Sequence, residues 1–248
     1  MTELLHIVEP WHWAVLLGGS FIGSFMTAAV GVGGGSFLIL VMATIMPPTA
    51  LVPIHGFVQL GSNASRAWLT KKHTNKKSVL WFMLGASVAA VVSVWLINAM
   101  DARWIPLIVA GFILYLSWLP LPDIGLSSTK TGLFSGGLFT TVATMLVGAS
   151  GPLVAAWLRT GDVDRWQYTA TFSTCMVLQH VAKLIVFGIA GFAFFPWLLL
   201  IAAMIVAGYL GTQLGLLVLG KLPDKALKPL FRWVLTLLAI KILWGFMS

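Results

Sequence analysis

The sequence predicts an all-α protein that crosses a membrane several times. Three observations predict it: too little charge for a surface facing water, eight long apolar segments, and basic residues gathered in the short stretches between them. Apolar residues make up 59% of the 248-residue chain and charged ones 9%, against about 25% charged in an ordinary soluble domain. Mean hydropathy is +0.96. Such a chain is solvated by lipid.

A bilayer core takes about 20 apolar residues as helix. The apolar segments fall at roughly 13–46, 50–70, 78–100, 103–121, 130–158, 166–191, 194–219 and 226–246. The opening MTELLHIVEP holds Glu3 and Glu9 and no Lys or Arg. It does not read as a cleaved signal, so the first segment is expected to insert and stay. The first and fifth segments are too long for one upright span, and small residues interrupt both. Gly31-Val-Gly33-Gly34-Gly35 breaks the first and Gly148-Ala-Ser150-Gly151-Pro152 the fifth. Glycine weakens a helix and proline removes a donor.

The two breaks lie 117 residues apart, and the same spacing relates Gly19 to Gly136, Thr27 to Thr144, Gly34 to Gly151 and Arg66 to Lys183. Asp101 and Pro106 resemble Asp224 and Pro229 at a slightly larger spacing. This reads as an internal duplication, a first membrane repeat over 1–122 and a second over 123–248, together one membrane domain.

Basic residues then set the topology. If all eight segments simply crossed, the Lys221–Arg232 loop, Arg159 and Arg165 would lie opposite Lys71, Lys72, Lys76 and Lys77, against the positive-inside rule. If segments one and five instead enter, break and return, the halves are inverted. Eleven of the fifteen basic residues then lie inside: Lys71, Lys72, Lys76, Lys77, Lys130, Arg159, Arg165, Lys221, Lys225, Lys228 and Arg232. Arg103 alone lies in an outside loop, and both termini are expected outside. The predicted fold is therefore two inverted four-segment repeats, with segments 1 and 5 broken or re-entrant. The stretch 13–30 is long for a half-helix. Tryptophans near span ends, such as Trp11, Trp104, Trp166 and Trp244, suit an interfacial belt.

Arg66 and Lys183 fall inside segments, where a cation costs at least about 2.5–3.5 kcal/mol at mid-membrane. All seven acids sit in predicted loops or at segment ends, so a bound anion is the natural partner; the alternative is snorkelling to an interface. His55, Gln59, Ser62, Asn63 and Arg66 share one helix face, and Thr169, Ser173, His180 and Lys183 share another, with Gln179 alongside. Two such faces are expected to meet across an internal cavity. Where a helix restarts after a break, its free N–H groups favour an anion. Gly33, Gly34 and Gly35 would offer bare backbone, and Ser150 or Gly151 would cap a helix begun by Pro152. The alternatives are a glycine packing groove and plain interhelical hydrogen bonding. His55 and His180 could carry protons. The expected binding set is Arg66, Lys183, Gly33, Gly34, Gly35, Ser150, Gly151, Asn63, Gln59, His180 and Gln179. No metal or cofactor is predicted, and the lone Cys175 forms no cluster. No nucleophile with an acid–base pair marks an enzyme.

The Gly31-Val-Gly33-Gly34-Gly35 element, its echo Gly148-Ala-Ser150-Gly151-Pro152, the two repeats and the basic 71–77 loop together resemble the TauE/SafE family of sulfite exporters and sulfonate permeases. The chain departs from the family in reading Ser36-Phe-Leu-Ile-Leu-Val41 after the first glycines, with no proline before Pro47. The resemblance implies transport of a small sulfur oxyanion, sulfite or an organosulfonate such as sulfoacetate, across the bacterial inner membrane. Export is the expected direction. The implied partners are that anion and the lipid bilayer, with a homodimer left open and no nucleic acid. An anion channel and a non-transport membrane scaffold remain as alternatives.

Overall fold

The computed structural model describes residues 9–31, 33–119, 129–158, 164–219, 221 and 224–247, and every extended regular element among them is helical. The first apolar segment is two helices, α1 (Pro10–Val30) and α2 (Gly34–Ala43). Next come α3 (Pro48–Thr70), α4 (Lys76–Ala99) and α5 (Ile105–Trp118). The fifth segment is again two helices, α6 (Lys130–Val147) and α7 (Gly151–Leu158). It is followed by α8 (Arg165–Ile189), α9 (Leu198–Leu217) and α10 (Asp224–Met247). Both breaks are made by glycine at the same internal spacing. Gly31 (φ +100°) and Gly148 (φ +76°) take positive φ, where a side chain would be strained. Each donates its N–H to the carbonyl of the preceding threonine: Gly31 to Thr27 at 3.0 Å and Gly148 to Thr144 at 2.9 Å.

Five helices combine the length and apolarity needed to cross a membrane: Pro10–Val30, Lys76–Ala99, Arg165–Ile189, Phe195–Leu217 and Pro229–Met247. The protein is thus a multi-pass helical membrane protein. α1 is one of the five, so the leading arm of the first segment is nearly a full span and the short arm is α2. At 23 residues α3 is about 35 Å long by the 1.5 Å rise per residue. His55, Gln59, Ser62, Asn63 and Arg66 make it too polar to join them. The outer surface is greasy, with Val91 73% and Trp95 83% exposed, whereas Arg66, Lys183, Gln179 and Thr140 are buried. Polar residues inside and apolar residues outside suit a lipid solvent.

The helices pair across the two halves. α1 lies along α9, and α6 lies along α4. Both pairs close on glycine: a Cβ at Gly211 would strike the Phe21 carbonyl, and one at Gly85 the Phe134 carbonyl. Small residues let backbones approach where lipid supplies no hydrophobic drive. α2 folds back on α1, since a Cβ at Gly34 would strike Gly23 and one at Gly19 would meet Leu38 and Val41. α7 folds back on α6, with Trp157 Nε1 donating to the Gly132 carbonyl at 2.8 Å. α3 and α8 cross antiparallel: their histidines His55 and His180 approach to 6.3 Å between ring centroids, and at one end Asn75 N–H reaches Thr171 Oγ1 at 3.0 Å. α5 and α10 pair through Trp118, whose Nε1 donates to Thr236 Oγ1 at 2.9 Å.

Basic residues collect at one end of the bundle. His73, in the turn with Lys71 and Lys72, lies 5.8 Å from the Trp166 ring beside Arg165, and Lys130 sits 5.4 Å over Trp81 on α4. Lys71 packs over Trp68 at 3.5 Å, a cation–π contact suited to a membrane interface. Gly85→Leu and Gly211→Leu are expected to lower stability by about 1–3 kcal/mol through overpacking. Gly18→Leu, which meets nothing within 4 Å, should leave it unchanged. Thermal unfolding of detergent-purified protein measures the difference, and equal midpoints in all three variants would contradict these crossings.

Candidate functional site

The two helix breaks meet at the α3–α8 crossing, and a cavity opens there. The volume open to the centre of a water molecule is about 20 Å³, more than the roughly 10–15 Å³ that one water requires. The first break contributes Gly33, Gly35 and Ser36, with Thr27 from the end of α1. The second contributes Gly148, Ala149, Gly151 and Pro152. α3 lines the space with His55, Gln59 and Asn63, and α8 with Phe172, Met176 and His180. The first turns of α2 and α7 therefore begin at the wall, with backbone N–H groups that no earlier carbonyl takes up.

Several buried polar atoms here have no protein partner: Ser36 Oγ, His55 Nδ1, and both ring nitrogens of His180. Burial without a hydrogen bond is costly, so a ligand or water with matching groups is called for. His55 Nε2 is engaged with the Gly35 carbonyl at 2.9 Å, which fixes its ring against the first break.

The two intramembrane cations lie one step behind the cavity wall. Arg66 is 1% and Lys183 0% exposed, so neither snorkels to an interface. Arg66 Nη1 donates to Asn63 Oδ1 at 3.0 Å, and Nη2 to Ser62 Oγ at 3.3 Å. Its Nε is left unpartnered. Ser62 in turn bonds Ser24 on α1 at 2.8 Å. Lys183 Nζ donates to the Gly148 carbonyl at 2.7 Å, across the gap left by Gly56, where a Cβ would collide with the lysine stem. Each cation thus touches a group that lines the cavity. Among the described residues one ion pair occurs, Arg103 with Asp101 at 2.8 Å, far along the chain from both. Among the described residues, no carboxylate pairs with either cation.

Of the sequence-predicted site residues, Gly33, Gly35, Gln59, Asn63, Gly151 and His180 line the cavity. Gly34 packs instead against Gly23 and Thr27. Gln179 turns toward α6, its Nε2 donating to Thr140 Oγ1 at 2.7 Å and to Thr141 Oγ1 at 3.0 Å. Ser150 Oγ donates to Gln179 Oε1 at 3.2 Å. Ser150 and Gln179, side by side, hold the second break in place. Sequence reasoning missed Ser36, Phe172 and Met176. The repeat spacing would have found the last two: 117 residues separate His55, Gln59 and Asn63 from Phe172, Met176 and His180.

Membrane-length helices broken twice around a buried, donor-rich space define a polytopic membrane protein with an internal polar site. The chain belongs to the sulfite exporter TauE/SafE family, whose model matches residues 15–242. The family is one of membrane transporters of sulfur anions, not of enzymes. Neither a curated protein nor a solved structure was found to match the chain. Gln179→Leu is expected to cost about 1–3 kcal/mol by unpairing buried hydroxyls. Ser150→Ala should add little in that background, because the two share one bond. A double-mutant cycle on thermal unfolding reads this, and fully additive losses would contradict it.

Proposed function

We propose that the protein is a secondary transporter that carries a small sulfur oxyanion, sulfite or an organosulfonate, by alternating access around the cavity between its two halves. The cavity carries the proposal. It is lined by unpartnered donors and two helix starts, with a cation one contact behind each wall and, among the described residues, no carboxylate paired with either. Backbone N–H groups, Arg and Lys suit oxyanions. The contacting groups are Gly33, Gly35, Ser36, His55, Gln59, Asn63, Gly151 and His180. Gly34, Ser150 and Gln179 hold the breaks, and Arg66 and Lys183 supply positive potential.

The halves, 1–122 and 123–248, are inverted repeats in this reading. The pairing of α1 with α9 and of α6 with α4 supports it, as does the antiparallel α3–α8 crossing. Segments 1 and 5 then enter and return on one side, which is the basic end of the bundle for α6–α7. That end faces the cytoplasm by the positive-inside rule, and both termini face the periplasm of an inner-membrane protein. Export fits the energetics, because an anion leaving an inside-negative cell moves with the potential, worth about 2.3 kcal/mol per charge per 100 mV.

Arg66→Ala and Lys183→Ala are each expected to reduce anion flux at least tenfold while insertion persists. Counterflow in proteoliposomes with sulfite, sulfoacetate, taurine, isethionate and sulfate measures it. Full activity in both variants would remove this site, and conductance without saturation would make the protein a channel. Alkaline phosphatase fused to either terminus should be active. An inactive fusion at either end that nevertheless inserts would refute the inverted topology.

A further inference from the structure

We infer that the cavity selects a short organic sulfonate with a neutral, apolar substituent over inorganic oxyanions, and that Phe172 and Met176 make the selection. The inference rests on the reading of the cavity as an oxyanion site.

α3 and α8 each give the cavity three residues on successive turns, and the two sets occupy equivalent positions of the internal repeat. A cavity with the same groups on both walls would suit an ion with oxygens all round. Here two of the three pairs are split. His55 is matched by Phe172, and Gln59 by Met176; Asn63 and His180 are both polar. Hydrogen-bonding groups line α3 and the start of α2, where Ser36 Oγ and His55 Nδ1 stand without partners, and α8 adds His180 at one end of its wall. Along the rest of the α8 wall, Phe172 and Met176 offer an aromatic ring and a thioether.

That apolar wall is held rigidly. Phe172 and Met176 are 3% and 5% exposed and pack into one cluster with Val154, Ala155 and Cys175. Tyr168 stacks on Phe172 at 6.0 Å with 16° between the rings. The Phe172 ring also reaches the start of α7, with its Cζ 3.8 Å from where a Cβ on Gly151 would stand. A sulfonate oxygen turned to this wall would lose its hydrogen bond to water without replacement. A methyl or methylene turned there gains burial and a soft contact with sulfur. A second charge, such as the ammonium of taurine or the carboxylate of sulfoacetate, would be buried there unpaired. The small volume, about 20 Å³ to a water's centre, favours a short substituent over a long one.

The test is binding of sodium methanesulfonate, ethanesulfonate, sulfite, sulfate, taurine and sulfoacetate to full-length detergent-purified protein, read by calorimetry. Ethanesulfonate or methanesulfonate should half-saturate at a concentration at least tenfold below that of sulfite, sulfate, taurine and sulfoacetate. In the Phe172→His, Met176→Gln double variant the preference over sulfate should fall below threefold, and Met176→Leu should keep it. Sulfite or sulfate binding the wild type as tightly as the alkanesulfonates would overturn the inference and leave the oxyanion site standing. So would a double variant with the wild-type ratio. Should that variant fail to fold, the wild-type panel decides alone. If none of the six anions binds, the oxyanion reading itself falls, and this inference with it.

Discussion

The absence of water inside a bilayer governs this structure. A helix that stops within lipid leaves N–H and C=O groups bare, and such a break is tolerated only when buried in protein or facing a cavity. The chain breaks two helices and answers both breaks internally. At the first, the His55 ring holds the Gly35 carbonyl at 2.9 Å. At the second, Lys183 holds the Gly148 carbonyl, with the Thr144 hydroxyl also turned to it at 3.4 Å. Ser150 is held by Gln179, itself anchored on α6. The groups that satisfy the breaks thus line the cavity or stand directly behind its wall, so one arrangement both closes the breaks and shapes the space between them.

The equivalent cations solve the same burial problem differently. Arg66 has five N–H donors in a planar fork. It spends them within its own helix, on Asn63 and Ser62, with Nε left over. Lys183 carries its charge on a flexible stem and reaches across to the backbone of another element. Gly56 gives that stem its room, whereas the equivalent position on α8 holds Ser173, a buried hydroxyl without a partner. Positions 117 residues apart thus share a helical framework and differ in the chemistry that fills it.

Much of the framework was legible in the sequence because glycine and proline mark it. The breaks fall at Gly31–Gly33 and Gly148–Ser150, and the helices follow the apolar segments. The length of α1 was harder to read, because from Trp13 to Val30 no charged residue or proline marks an earlier end. The candidate site was legible in part. Polar residues on α3 announced themselves, and His55, Gln59 and Asn63 do share a wall. Neighbours on a helix are turned by about 100°, so Gln179 faces α6 while His180 faces the cavity; a sequence does not tell which of two adjacent polar residues has the inner seat. Arg66 shares that face but lies one turn further along α3, beyond the wall, where it bonds Asn63. Phe172 and Met176 were invisible as site residues, because an apolar side chain in an apolar segment carries no contrast.

The pairing of α1 with α9 and of α4 with α6 has a bearing on how the chain is made. α1 emerges from the ribosome early, and the glycine-lined groove that receives it is synthesised nearly at the end. Until then the hydroxyl of Ser20, which donates to the Met204 carbonyl on α9, has no partner there. The α1–α9 pair therefore closes only after most of the chain has been made. A ribosome that stalls midway through the second half would leave behind a membrane-embedded fragment with exposed polar faces, the kind of species that membrane quality-control proteases recognise.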